Sequence, residues 1–190
     1  LKIDGYMPGY QFSELHKINV EVPPEIVYQI MCRLDLRRSF PIKLLFWLRG
    51  FYSWARPIGS SAGLELTLKD LTEKAGFILL NQIPNKEMVL GRVGRFWRPN
   101  GGIVTMPADQ VKAFNKNGFA KAICNFYVQE RKDGGTVLST ETRIQTYGNA
   151  AKLLFGVYWL IIRPFSGLIR ILMLKEISRQ SIIEMRKKQI

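Results

Sequence analysis

The chain has 190 residues, 47% of them apolar and 12% aromatic, and its 28 basic and 15 acidic residues give a net charge of +13. That length suits one domain, residues 1–190, able to bury roughly 70% of the surface its unfolded form exposes. Cys32 and Cys124 lie far apart and His16 stands alone, so neither a disulfide framework nor a transition-metal cluster is read, and no cofactor is called for.

The opening LKIDGYMPGYQF has no basic stretch followed by an apolar run, so no secretion signal is read and a cytoplasmic, reducing setting is expected. Ile18, Val20 and Val22 alternate with polar residues as a half-buried strand does, and Pro23 and Pro24 stop it. Pro24 suits a first helical turn, and Ile26, Val27, Ile30, Met31 and Leu34 then mark an amphipathic helix. A helix over about 41–54 is apolar nearly all round apart from Lys43 and Arg49.

Thr67 to Asp70 resembles a capping box before Gly76, giving a short helix over about 68–75, with a strand through Leu64, Leu66 and Leu68 as the competing reading. Apolar runs over 77–82 and 88–93 flank Pro84-Asn85-Lys86 as strand, turn and strand, and Pro107 opens a helix to Phe114. Then comes a hairpin: Ala120, Ala122, Cys124, Phe126 and Val128 share one face, Asp133-Gly134-Gly135 turns, and Leu138, Thr140, Thr142 and Ile144 return. Threonines facing inward suit a solvated cavity, while Thr is also a good strand former.

Asn149 to Lys188 is helical throughout. Forty residues of unbroken helix would run about 60 Å, against about 40 Å for a compact domain of this size, so a break at Pro164 and Gly167 is expected. Within it, Leu153 to Ile162 is only ten residues before Arg163 and Pro164, too short for a membrane span.

Most of the charge sits in two apolar segments. Residues 31–60 contribute +5 and 151–190 contribute +6. Lys and Arg set among Leu, Ile, Phe and Trp suit an anionic membrane surface better than nucleic acid, for which no binding motif is present. Segments 41–56 and 164–186 are the candidate membrane contacts.

The element order points to an α+β fold: a curved antiparallel sheet wrapped around a long C-terminal helix, with short helical insertions. HKINVEVPPEIVYQIM, VLGRVGRFWRP, NGFAKAICNFYVQERKDGGTVLSTETRI and YWLIIRPFSGLIRILMLKEI resemble the START-like, polyketide-cyclase/dehydrase-related superfamily of helix-grip proteins (SRPBCC). GRFWRP and IRPFSGLIR look like marks of a narrower, mostly bacterial family within it. The resemblance implies a cavity between sheet and last helix, used across the superfamily for lipids, sterols, polyketides, quinones or hormones.

The leading expectation is therefore binding or carriage of a hydrophobic small molecule or lipid. Expected pocket-lining residues are Phe77, Leu79, Val89, Gly91, Cys124, Phe126, Leu138, Thr140, Thr142, Ile169 and Met173. Arg95 and Arg98, flanking Phe96 and Trp97, could anchor a polar end or simply snorkel over the aromatics. For catalysis little is offered: no GxSxG, HExxH or phosphate loop is present, and His16 reads as a surface residue ahead of the first strand. Glu141 reads as an outward member of a cross-strand ion pair. A cyclase- or dehydrase-type enzyme is the remaining alternative, and no residue is assigned to it.

Overall fold

The computed structural model of the chain describes residues 1–34, 76–98 and 101–188. Its elements are α1 (Lys2–Tyr6), β1 (Phe12–Val20), α2 (Pro24–Arg33), β2 (Ile78–Ile83), β3 (Glu87–Gly94), α3 (Ala108–Ala113), β4 (Ala120–Glu130), β5 (Thr136–Thr146) and α4 (Asn149–Lys187). The strands pair antiparallel in the order β1-β5-β4-β3-β2, with α4 lying across one face. This is the α+β helix-grip arrangement. The helix expected over 41–54 and the segment from Thr67 to residue 75 lie outside the described residues.

The β4–β5 hairpin is the centre of the sheet. Register places Val128 opposite Leu138, Phe126 opposite Thr140, Cys124 opposite Thr142 and Ala122 opposite Ile144, all on the face that α4 covers. Asn85 makes the β2–β3 turn with a φ of 58°, a left-handed conformation that Asn tolerates better than most residues. Pro24 opens α2 as its first residue, where a missing N–H costs nothing.

A layer that the sequence reading did not anticipate covers the other face. Ile3 and Met7 beside α1, and Val111 of α3, bury Val89, Val93 and Ile123 on the outer side of the sheet. The polar groups there are matched: buried Glu87 accepts hydrogen bonds from the Lys2 N–H at 2.8 Å and from Asn125 Nδ2 at 2.8 Å. Lys121 donates to the Lys112 and Phe114 carbonyls at the end of α3, and burial lowers its pKa. Glu141 does point outward, but its Arg143 partner is two residues along the same strand (2.6 Å) rather than on a neighbour.

The expected break in the C-terminal helix does not occur. α4 is continuous for 39 residues, about 58 Å, with Pro164 inside it. Pro164 removes the N–H that would bond the Leu160 carbonyl, and both residues lie on the exposed side of the helix. There water can meet the freed carbonyl, so the lost hydrogen bond is not left buried. The length is accommodated along the sheet. Phe155, Trp159 and Ile162 pack with Phe12, Ala120, Ala122 and Ile144, and further on Ile169, Met173, Leu174 and Ile177 pack with Val20, Leu138 and α2.

By length and composition α4 could cross a membrane, yet a third of its most apolar window is buried within the fold. One side of the helix is thus committed to protein.

If Pro164 is merely tolerated at this exposed position, Pro164→Ala should raise the unfolding free energy by up to about 3 kcal/mol in denaturant titration. A loss of stability would show instead that the proline helps to seat α4 on the sheet.

Candidate functional site

The two apolar clusters under α4 do not meet without interruption. Between them the strand face presents Glu14 and His16 of β1, Thr142 and Thr140 of β5, and Cys124 of β4. Register sets Glu14 opposite Thr142 and His16 opposite Thr140, with Cys124 next across the sheet from Thr142. Above them α4 brings Ser166 and Gly167, both buried.

Gly167 fixes how closely the helix approaches. A β-carbon there would lie 2.5 Å from Glu14 Oε1 and 3.3 Å from His16 Nε2, so any larger side chain would displace the pair or lift the helix. Beneath it, His16 Nε2 and Glu14 Oε1 are 3.2 Å apart, and the two side chains keep only 20% and 10% of their exposure. The distance is short enough for a hydrogen bond, but the angle is not that of one, and His16 Nε2 has no hydrogen-bond partner among the described residues.

Glu14 Oε2 and Thr142 Oγ1 are likewise buried without a hydrogen-bond partner among the described residues. Their neighbours are better served. Thr140 Oγ1 donates to the Asn125 carbonyl at 2.8 Å, and Thr136 Oγ1 to the Val22 carbonyl at 2.6 Å. An unmatched buried hydroxyl or carboxylate oxygen costs about 1–3 kcal/mol or more, and among the described residues three such atoms, on Glu14, His16 and Thr142, gather in this patch. Chemically it offers a carboxylate, an imidazole and a hydroxyl facing the same small volume. Such a set can hold a hydroxyl, amine or carbonyl group, or exchange a proton with one.

Other expected positions divide. Phe126 and Leu138 of the sheet, with Ile169 and Met173 of α4, belong to one cluster on the inner face, against which Phe77 and Cys124 pack. Leu79 pairs with Leu90 on that side but is 42% exposed. Val89 and Gly91 point the other way. Val89 packs with Ile123 in the outer layer, and a β-carbon at Gly91 would meet Leu80 and Val111 there.

GRFWRP is split by its geometry. Phe96 and Trp97 stand edge-on to Phe155 of α4, at centroid distances of 6.3 and 6.4 Å. Arg95 turns elsewhere: its Nε donates to the Gly118 carbonyl at 3.2 Å and its guanidinium lies over the Phe119 ring. Arg98 is exposed in the following turn. The inward arginine of this strand is Arg92, opposite Ala122, with its guanidinium over the Phe77 ring.

The sequence reading misplaced His16 and passed over Glu14 and Arg92. β1 begins at Phe12, not at Ile18, and its alternation Phe12, Glu14, His16, Ile18, Val20 puts His16 inside. Extending the period-two pattern backward from Ile18 would have found both acid and imidazole. The condition that would remove a cyclase-type enzyme, an interior without titratable groups, is therefore not met. Burial pushes the Cys32 thiol above its ordinary range, which leaves it a poor nucleophile at neutral pH. No group of three or more His, Cys, Asp or Glu residues suited to a metal ion occurs among the described residues.

Gly167→Ala should destabilise the protein through its contact with Glu14, and Glu14→Ala should relieve most of that cost. In a double-mutant cycle by denaturant unfolding, a coupling of about 0.5–3 kcal/mol is expected. Additive losses would mean that Gly167 does not rest on the pair.

The chain matches no protein-family model and no curated protein. Among solved structures it is similar to CalU16 from Micromonospora echinospora, at 14% identity over 89% of this chain and 82% of that one, with a TM-score of 0.31. TTHA0849 from Thermus thermophilus aligns at 9% identity over 91% and 99% of the two chains, with a TM-score of 0.36. CV1439 from Chromobacterium violaceum aligns at 12% identity over 84% and 99%, with a TM-score of 0.31. Likenesses this distant carry neither ligand nor reaction to this chain.

Proposed function

We propose that the protein binds a hydrophobic small molecule or lipid between its sheet and α4, as a helix-grip protein of the START-like, polyketide-cyclase-related superfamily. The apolar body of the ligand would lie along Phe126, Leu138, Ile169 and Met173, and a polar group on it would meet Glu14, His16 and Thr142. One observation supports this above the rest: Glu14 Oε2 and Thr142 Oγ1 are buried with no partner among the described residues. Folded chains rarely leave such atoms unmatched unless a ligand or water completes them. Phe126, Leu138, Ile169 and Met173 beside it form an apolar stretch of the inner face, as a site for a greasy molecule requires.

Arg95 is committed to the loop at 118–119 and Arg98 is exposed in the turn after β3, so neither is assigned an anchoring role in this reading. Polar recognition falls instead to the strand nearest α4. No reaction is assigned. The Glu14–His16 pair has the chemistry of a general acid and base, but binding alone accounts for its burial in a site of this kind.

Native mass spectrometry of the purified protein should find a mass above that of the chain, removed by organic extraction. The extracted protein should then take up a fluorescent fatty acid such as parinaric acid. The chain mass before and after extraction, with no uptake of the probe, would overturn the carrier reading.

Thr142→Val gives a sharper test, because it removes an unmatched hydroxyl at nearly constant shape. The empty protein should gain about 1 kcal/mol in unfolding free energy while its hold on the ligand weakens. A destabilised variant would show that the hydroxyl is already matched in the empty state, and the argument from its burial would fall.

A further inference from the structure

We propose that the outward face of the first half of α4 is a docking surface for an anionic lipid bilayer, on which the helix lies flat. Leu153, Leu154, Val157, Leu160, Ile161 and Leu168 are exposed by 45–77%, with Leu160 at 77% and Leu153 at 71%. Placed at 100° per residue they fall within about 120° of arc, opposite the buried side formed by Phe155, Trp159 and Ile162. No charged residue interrupts that arc. Single exposed leucines are ordinary on a protein surface, but a continuous row over about four turns of one helix marks a contact.

Charge selects the occupant. From Asn149 to Lys175 the helix contains no acid, and exposed Lys152 and Arg163 lie about 60–80° beyond one edge of the apolar arc. The arc itself ends at Lys175, and Arg179, which follows on the same side of the helix, is paired with Glu176. Apolar residues bordered by cations are the pattern of a helix that sinks its side chains among acyl chains while its Lys and Arg reach lipid phosphates. A second copy of the chain would set two molecules of net charge +13 against each other, which disfavours self-association on this face.

The structure also limits the depth of insertion. Phe155, Trp159 and Ile162 hold α4 to the sheet, so the helix cannot cross the bilayer without dismantling the inner-face packing. Between β1 and α4 an open groove of about 460 Å³, lined by Phe12, Leu153, Gly156, Val157 and Leu160, faces the same way. The surface overlaps the 164–186 segment that composition pointed to only at its start, and most of it lies before Pro164. Beyond Leu168 the apolar residues Ile169, Met173, Leu174 and Ile177 turn into the core. Segment 41–56 lies outside the described residues.

The test is flotation of the full chain with vesicles of phosphatidylcholine, with or without phosphatidylglycerol. The protein should float with the anionic vesicles, stay behind with the neutral ones, and be released by high salt. Val157→Glu with Leu160→Glu should lower the bound fraction at least about tenfold, since each exposed apolar side chain contributes that much when buried in lipid. Both positions are solvent-facing, so the variant should keep the parent's circular dichroism and unfolding midpoint. Failure to float with either vesicle, equal binding to both, or full binding by the double variant would each overturn the proposal. So would a dimer in sedimentation that the same substitutions dissolve, because a second copy would then be the partner of this face.

Discussion

The rest of this structure depends on the closeness with which α4 meets the sheet, and one absent side chain sets that closeness. At Gly167 the helix backbone comes within contact distance of Glu14 and His16, nearer than any residue with a β-carbon could. On either side larger residues keep the helix further off and bury apolar area in two separate clusters. The arrangement is therefore a rod resting on two greasy cushions with a polar gap between them. Stability comes from the cushions, and the unmatched polar atoms lie in the gap.

A polar gap of that kind has to be offset elsewhere. The outer layer does so. Ile3, Met7, Val89, Val93, Val111 and Ile123 form a dry cluster on the far face, and Glu87, Asn125 and Lys121 are matched there by hydrogen bonds. Two-sided burial of the sheet lets one face hold unmatched groups without costing the fold its margin. It also explains why β3 reads as apolar on both sides, Met88 and Leu90 facing α4 while Val89 and Val93 face away.

How far the sequence could be read follows from these facts. Strand periods, the turn at Asn85 and the Pro24 helix start are local signals, and each carried through to the structure. The hairpin's inner residues were legible because Cys124, Phe126, Leu138, Thr140 and Thr142 alternate with polar or outward ones. Val89 and Gly91 were not, since a strand covered on both faces has no alternation to choose between. His16 was hidden for the opposite reason: an inward face that is polar breaks the hydrophobic pattern used to find it. Pro164 misled because the penalty for an internal proline depends on where the freed carbonyl faces, and that orientation is tertiary information. The anchoring role expected of Arg95 fell to the same limit, because nothing local says that the 118–119 loop will capture its guanidinium.

The continuity of α4 has a mechanical side. An unbroken helix supported near its middle is a lever, and its two ends move in opposite senses about the support. Gly167 lies at that fulcrum, with the Phe155 end over the start of β1 and the Ile177 end against α2. A hinge at Pro164 would have let the two halves move separately. Because the helix is unbroken, raising the first half from Phe12 presses the second half toward α2, and access to the polar gap is geared to the packing of the far end.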